Sequence, residues 1–311
     1  MGRITINRTS ILGVIARKVV GKKYGRDLKK VLSKDNSIII AENNKRYNTS
    51  WKVPKGYILE EIKLKNLSME FLYKESKSKK IILNIHGGGY IYGMDNAYRD
   101  LSYHYSKITD GLSVVTPNYR VASIGPYPYA FHDCIEAYKW ILNQGYEGKD
   151  IIIVGDSAGG ALALSLVQYV IDKKIQVPCA IVTWSAWANL ACDSNSYKVN
   201  QSKDTLFGEI LKGGYDYRSF PYVKDNDIKD KYMCPIYCDN KNYPDMLMQV
   251  GSYEVVFDDT KIIAEKARKN GVNVINTSYH GMFHVFQFAY NMIPESKKAW
   301  QEIEGFLREH I

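Results

Sequence analysis

Ile151-Ile152-Ile153-Val154-Gly155-Asp156-Ser157-Ala158-Gly159-Gly160-Ala161-Leu162-Ala163-Leu164 is the most informative run in this 311-residue chain. Four β-branched residues in succession predict a short buried strand. The Ala/Leu-rich run after Gly160 predicts a helix. Between them Ser157 stands with Gly155 and Gly159 on either side. This spacing suits a sharp strand-to-helix turn, in which the central backbone is strained and its neighbours must be small for strand and helix to close. Ser157 is therefore a candidate nucleophile.

The same alternation continues on both sides. Strands are predicted over 80–85, 112–117, 150–155, 178–184, 245–250 and 272–278. Helices are predicted over 97–109, 130–144, 158–172, 258–270 and 295–309. Strands and helices taking turns imply an α/β protein with a mostly parallel sheet covered on both faces. Ile58–Lys65 and Ser68–Lys74, alternating apolar and polar across Asn66, predict an antiparallel hairpin in front of it. Residues 188–243, rich in Tyr, Asp, Asn and Lys, break the rhythm and read as an inserted substrate-shaping element with short helical pieces around 204–212. Residues 10–32 are basic and helical in pattern. Their Ile11, Leu12, Ile15, Val19 and Val20 stripe is expected to pack on the main body as a cap or lid helix, with a membrane-surface helix as the alternative.

Composition narrows the function. Apolar content of 45% and charged content of 24% are ordinary for a globular protein. The net charge of +9 comes with no nucleic-acid recognition motif, so no nucleic acid is expected as a partner. No G-x-G-x-x-G spacing and no P-loop lysine accompany the glycines. Five cysteines, an odd number without a C-x-x-C pair, suit reduced thiols and a cytoplasmic location. No metal and no cofactor are implied. The start of the chain lacks the apolar core of a signal peptide. The apolar stretch 151–171 is interrupted by Asp156 and glycines, so no stable membrane insertion is expected.

A serine hydroxyl becomes a good nucleophile only when an imidazole accepts its proton and a carboxylate orients that imidazole. Beyond strand 245–250 lie Gly251-Ser252-Tyr253-Glu254, with Asp258 and Asp259 a turn later. Beyond strand 272–278 lie His280 and His284. Carboxyl ends of parallel strands share one crevice, so these groups converge on Ser157. Strand 80–85 runs into His86-Gly87-Gly88-Gly89-Tyr90, where backbone N–H groups can face a developing negative charge. Gly87, Gly88 and Ala158 are the candidate oxyanion donors. His86, Gly89 and Asp156 are expected to shape the loop.

Taken together, His86-Gly87-Gly88-Gly89, Gly155 to Gly160, Gly251 to Glu254 and His284-Val285-Phe286 resemble the hormone-sensitive-lipase-like branch of the α/β-hydrolases, a family of serine esterases. Weaker matches are Tyr119 to Asp133 and the Trp187 and Leu190 loop. The resemblance covers roughly residues 58–310. It implies an α/β-hydrolase fold with a mostly parallel eight-stranded sheet and a helical cap. It divides the chain into a cap segment (1–50), a core (51–187), a cap insertion (188–243) and the rest of the core (244–311). It further implies Ser157 as nucleophile, Glu254 as orienting acid and His284 as base, in preference to His280, Asp258 or Asp259. The implied reaction is hydrolysis of short-chain, small-molecule carboxylic esters through an acyl-enzyme. Amide or peptide hydrolysis by the same triad and a non-catalytic ligand receptor on the same fold are the alternatives, and a homodimer is left open.

Overall fold

The computed structural model describes residues 3–24, 34–75, 78–212 and 214–311. Its strands are β1 (Arg3–Ile6), β2 (Ile58–Lys63), β3 (Ser68–Tyr73), β4 (Ile81–Ile85), β5 (Ser113–Asn118), β6 (Ile151–Asp156), β7 (Ala180–Trp184), β8 (Asp245–Gly251) and β9 (Val274–Tyr279). They form one sheet in the order β1-β9-β8-β7-β6-β4-β5-β3-β2. From β1 to β5 every neighbouring pair is parallel. Only β3, paired with β5 and β2, runs against its neighbours.

Both faces of the sheet are covered, and period-two alternation sorts the side chains. Ile81, Leu83, Ile151 and Ile153 enter one core, under α4 (Tyr129–Asn143), α5 (Ser157–Asp172) and α8 (Phe257–Lys269). Ile82, Ile152, Val154 and Leu247 enter the other, under α3 (Asn96–Ile108) and α9 (Pro294–Arg308). Trp300, Ile303, Phe306 and Leu307 of α9 fill that second layer. Central strands buried on both sides have no solvent-facing side, which is why β4, Asn84 apart, and the Ile151–Val154 part of β6 read as apolar runs.

The observed sheet differs from the expected one by a ninth strand. Four residues, Arg3 to Ile6, are too short to register as a strand by pattern. They form one because β9 offers them a free edge to pair with. A second unanticipated element is helix α2 (Asn36–Tyr47), which buries only Ile39 and so has little apolar periodicity. Its start was encoded nonetheless: Asp35 accepts from the Ser37 N–H as an N-cap.

Helix α1 (Ile11–Tyr24) occupies the expected segment but turns the other way. Ile11, Leu12, Ile15 and Val19 are exposed. Packing uses the opposite side, where Ala16 and Val20 meet the Met282 and Phe283 cluster. Gly13 explains the choice, since a Cβ there would collide with Met282 and Glu295. Residues 25–32 of the anticipated helix lie outside the described residues. Within residues 188–243, α6 (Asn195–Val199) and α7 (Gly208–Leu211) are short helices.

Candidate active site

Strand β6 ends at Asp156, and α5 begins at Ser157 with φ of 51°, a left-handed conformation that a serine adopts only under constraint. The constraint is steric. A Cβ on Gly159 would run into the carbonyl oxygens of Ile85 and His86, and one on Gly155 would meet Gly159. Strand, turn and helix therefore close only around glycine, and the Ser157 hydroxyl is held at the carboxyl end of the sheet.

Two further strand ends complete the site. The Ser157 Oγ lies 2.8 Å from His284 Nε2, and His284 Nδ1 lies 2.8 Å from Glu254 Oε2. A carboxylate only accepts, so Nδ1 carries the proton and Nε2 is left to accept from the serine hydroxyl. All three side chains are buried. Burial pushes the Glu254 carboxyl above its usual range, with His284 and the Gly251 N–H pulling it back. Glu254 is also fixed from behind: its Oε1 accepts from the Ser185 hydroxyl at 2.9 Å and from the Gly251 N–H. The same Ser185 oxygen accepts from the Val285 N–H at 3.1 Å, linking the carboxylate to the histidine loop.

Ser185 escaped the sequence reading, although it immediately follows a parallel strand, where such residues gather. Asp204 and Phe207, both within residues 188–243, also escaped it. Asp204 accepts from the Val255 N–H next to Glu254. The Phe207 ring stands edge-on to His284, with centroids 4.6 Å apart. No local spacing could have revealed contacts made across some fifty or more residues.

The glycine loop is arranged differently from expectation at one position. The Gly87 N–H is directed to Asp156 Oδ1 (3.0 Å) and the Tyr98 hydroxyl (2.9 Å), so it is committed within the protein and is not an available oxyanion donor. The chain turns one residue later, with φ of 105° at Gly88 and 60° at Gly89. Among the described residues, the N–H groups of Gly88 and Gly89 have no acceptor. Both glycines line the gorge that holds Ser157 and His284. Ala158 lies in the first turn of α5, where N–H groups have no intrahelical partner.

His86 sits behind this loop. Its Nδ1 donates to the Gly87 carbonyl at 2.7 Å, and its ring stacks on Tyr119 at 3.9 Å. Complete burial pushes its pKa down to about 4, keeping it neutral. Asp156 accepts from Gly87 and from the Tyr98 hydroxyl, and burial raises its pKa to about 7. A carboxyl raised in the fold stabilises the native state below its unfolded value of about 4 and loses that contribution as pH climbs through 7. Asp156→Asn retains an acceptor for Gly87 and does not titrate. Its stability relative to the parent should rise between pH 4 and 8 by on the order of 3 kcal/mol. Urea unfolding of both proteins across this range checks it, and parallel pH profiles would count against the assignment.

The competing residues lie elsewhere. His280 is exposed beyond β9, its ring against Tyr253. Asp259 is buried and accepts from the N–H groups of Ala188 and Asn189 and from the Tyr197 hydroxyl. Asp258 accepts from the Ser196 N–H. Both carboxylates sit in the first turn of α8 and tie it to the loop after β7 and to residues 195–199.

The gorge has a volume of about 660 Å³ and is lined by Tyr98, Leu206, Phe207, Phe283 and Phe288 among others. Beyond Gly89 and Phe207 lies a side chamber of about 40 Å³, walled by Trp187, Ile210, Leu211, Phe220 and Val255.

Comparison with known proteins places the fold in a family. A sequence family described as an alpha/beta hydrolase fold matches residues 82–288. An acetyl-hydrolase from Streptomyces hygroscopicus is 31% identical over 260 residues, covering 82% of this chain and 83% of its own. An esterase from Acinetobacter venetianus is 33% identical over 248 residues, covering 79% and 80%. The crystal structure of EstE5 soaked with p-nitrophenyl butyrate superimposes with a TM-score of 0.81 at 26% identity, covering 97% of this chain and 99% of that one. The chain therefore belongs to the α/β-hydrolase-fold family, and its motifs resemble those of the hormone-sensitive-lipase-like branch.

Proposed function

We propose that this chain is a serine carboxylesterase for esters of short acyl chains. The observation that carries the reading is the placement of Ser157 Oγ and Glu254 Oε2, each 2.8 Å from opposite nitrogens of the His284 ring, with Ser157 and His284 in the wall of the gorge. Ser157 attacks the ester carbonyl as His284 Nε2 takes the hydroxyl proton. The oxyanion is received by the N–H groups of Gly88, Gly89 and Ala158, which need no reorganisation when charge develops. Glu254 stabilises the imidazolium and holds its orientation. His284 then protonates the leaving alcohol, and a water molecule repeats the cycle on the acyl-enzyme to release the acid.

The side chamber supports a short acyl length. A water-sized guest occupies about 10–15 Å³ on this scale, so 40 Å³ admits on the order of three heavy atoms. An acetyl or slightly longer group fits, and a fatty chain does not. The acetyl-hydrolase name of one relative supports the same preference. The five cysteines are all free, in keeping with a reducing, cytoplasmic setting.

A series of p-nitrophenyl esters tests the reading. kcat/KM should peak between acetyl and about hexanoyl, and a peak beyond about ten carbons would defeat it. Leu211→Ala opens the chamber and should raise the hexanoyl-to-acetyl ratio of kcat/KM about tenfold. An unchanged ratio would move the acyl group elsewhere in the gorge.

A further inference from the structure

Helix α1 presents its apolar residues to solvent. Ile11, Leu12, Ile15 and Val19 are 81%, 52%, 51% and 56% exposed. At about 100° per residue they share one side of the helix. The other side is used for packing: Arg17 donates to the Gly281 carbonyl, and Val20 lines the gorge. Apolar residues scattered singly on a surface are common, but a four-residue stripe marks an interaction site.

Charge is concentrated in the same segment. Residues 1–33 carry nine Lys or Arg against a single Asp, a net +8 of the chain's +9, so the remainder of the protein is close to neutral. Lys18 is exposed beside the stripe, and Lys22 and Lys23 follow on the same helix. An occupant must satisfy both features. A second copy would bring one +8 segment against another, and like charges oppose that approach. An anionic lipid surface offers an apolar interior below and phosphate charge at the rim.

We propose that α1 lays its Ile11, Leu12, Ile15 and Val19 face on an anionic bilayer, with the N-terminal basic residues neutralising lipid headgroups. None of the helices among the described residues is long and apolar enough to cross a membrane, so the helix lies on the surface. Because Val20 of the same helix borders the gorge, docking brings the gorge close to esters dissolved in the lipid. The docking surface stands independently of the hydrolytic reading, since Ile11, Leu12, Ile15 and Val19 are not part of the gorge lining.

The test is flotation of the full chain with vesicles of phosphatidylcholine, alone or mixed with phosphatidylglycerol. The protein should float with the mixed vesicles, remain behind with the neutral ones, and be released as salt is raised. Replacing Ile11, Leu12, Ile15 and Val19 together by serine should cut partitioning about tenfold or more. Circular dichroism and hydrolysis of a water-soluble aryl ester should not change. Failure to float with mixed vesicles at low salt overturns the proposal, as does equal flotation of the variant. So does a concentration-dependent doubling of mass in sedimentation that the four substitutions abolish while vesicles are ignored, a result that assigns the face to a second copy.

Discussion

Ser157→Ala should lower kcat on p-nitrophenyl acetate by about 10⁴-fold to 10⁶-fold while leaving the fold intact. Removal of Oγ takes away the hydroxyl that lies 2.8 Å from His284 Nε2. The N–H groups of Gly88, Gly89 and Ala158 remain. They still stabilise an oxyanion formed by attacking water, so a residual rate of roughly 10³–10⁴ over uncatalysed hydrolysis should survive. Stability should change little, because alanine keeps the backbone requirement at φ of 51° no worse than serine does. Steady-state kinetics of protein purified without any wild-type contact checks this, and a loss of less than about tenfold would remove Ser157 from the mechanism.

Glu254→Gln should cost about 10⁴-fold, the size seen when the orienting acid of a serine protease triad becomes an amide. The reason lies in what surrounds the carboxylate. Oε1 accepts from the Ser185 hydroxyl and the Gly251 N–H, so the glutamine oxygen must take that position. Its NH₂ then faces His284 Nδ1, which can no longer donate. The imidazole proton is forced onto Nε2, where it confronts the Ser157 hydroxyl instead of accepting from it. KM should move far less than kcat, because Glu254 is fully buried and does not line the gorge. A variant with near-normal kcat would show that the carboxylate is structural only.

What the sequence disclosed depended on how local the cause was. The turn at Ser157 was legible because its demands on Gly155 and Gly159 fall within five residues. The central strands were legible because burial on both faces leaves no polar alternation. The triad was legible only through strand-end positions combined with a family resemblance, since Ser157 and His284 are 127 residues apart. The choice among Gly87, Gly88 and Gly89 was not legible. It turns on hydrogen bonds from Asp156 and Tyr98 that reach Gly87 from elsewhere in the fold. Helix α1 shows the same limit. Its apolar stripe was clear, but Gly13, Arg17 and Val20 decide which side packs, and the stripe faces solvent.

The arrangement makes one demand above all: a single hydroxyl, poised by one imidazole, must react before any other nucleophile in the protein. An organophosphonate probe, followed by peptide mapping, asks this directly. One adduct per chain on Ser157, forming in step with loss of esterase activity and absent from Glu254→Gln on the same timescale, is the expected result. Labelling at another residue, or full activity in protein whose Ser157 is quantitatively modified, would contradict it.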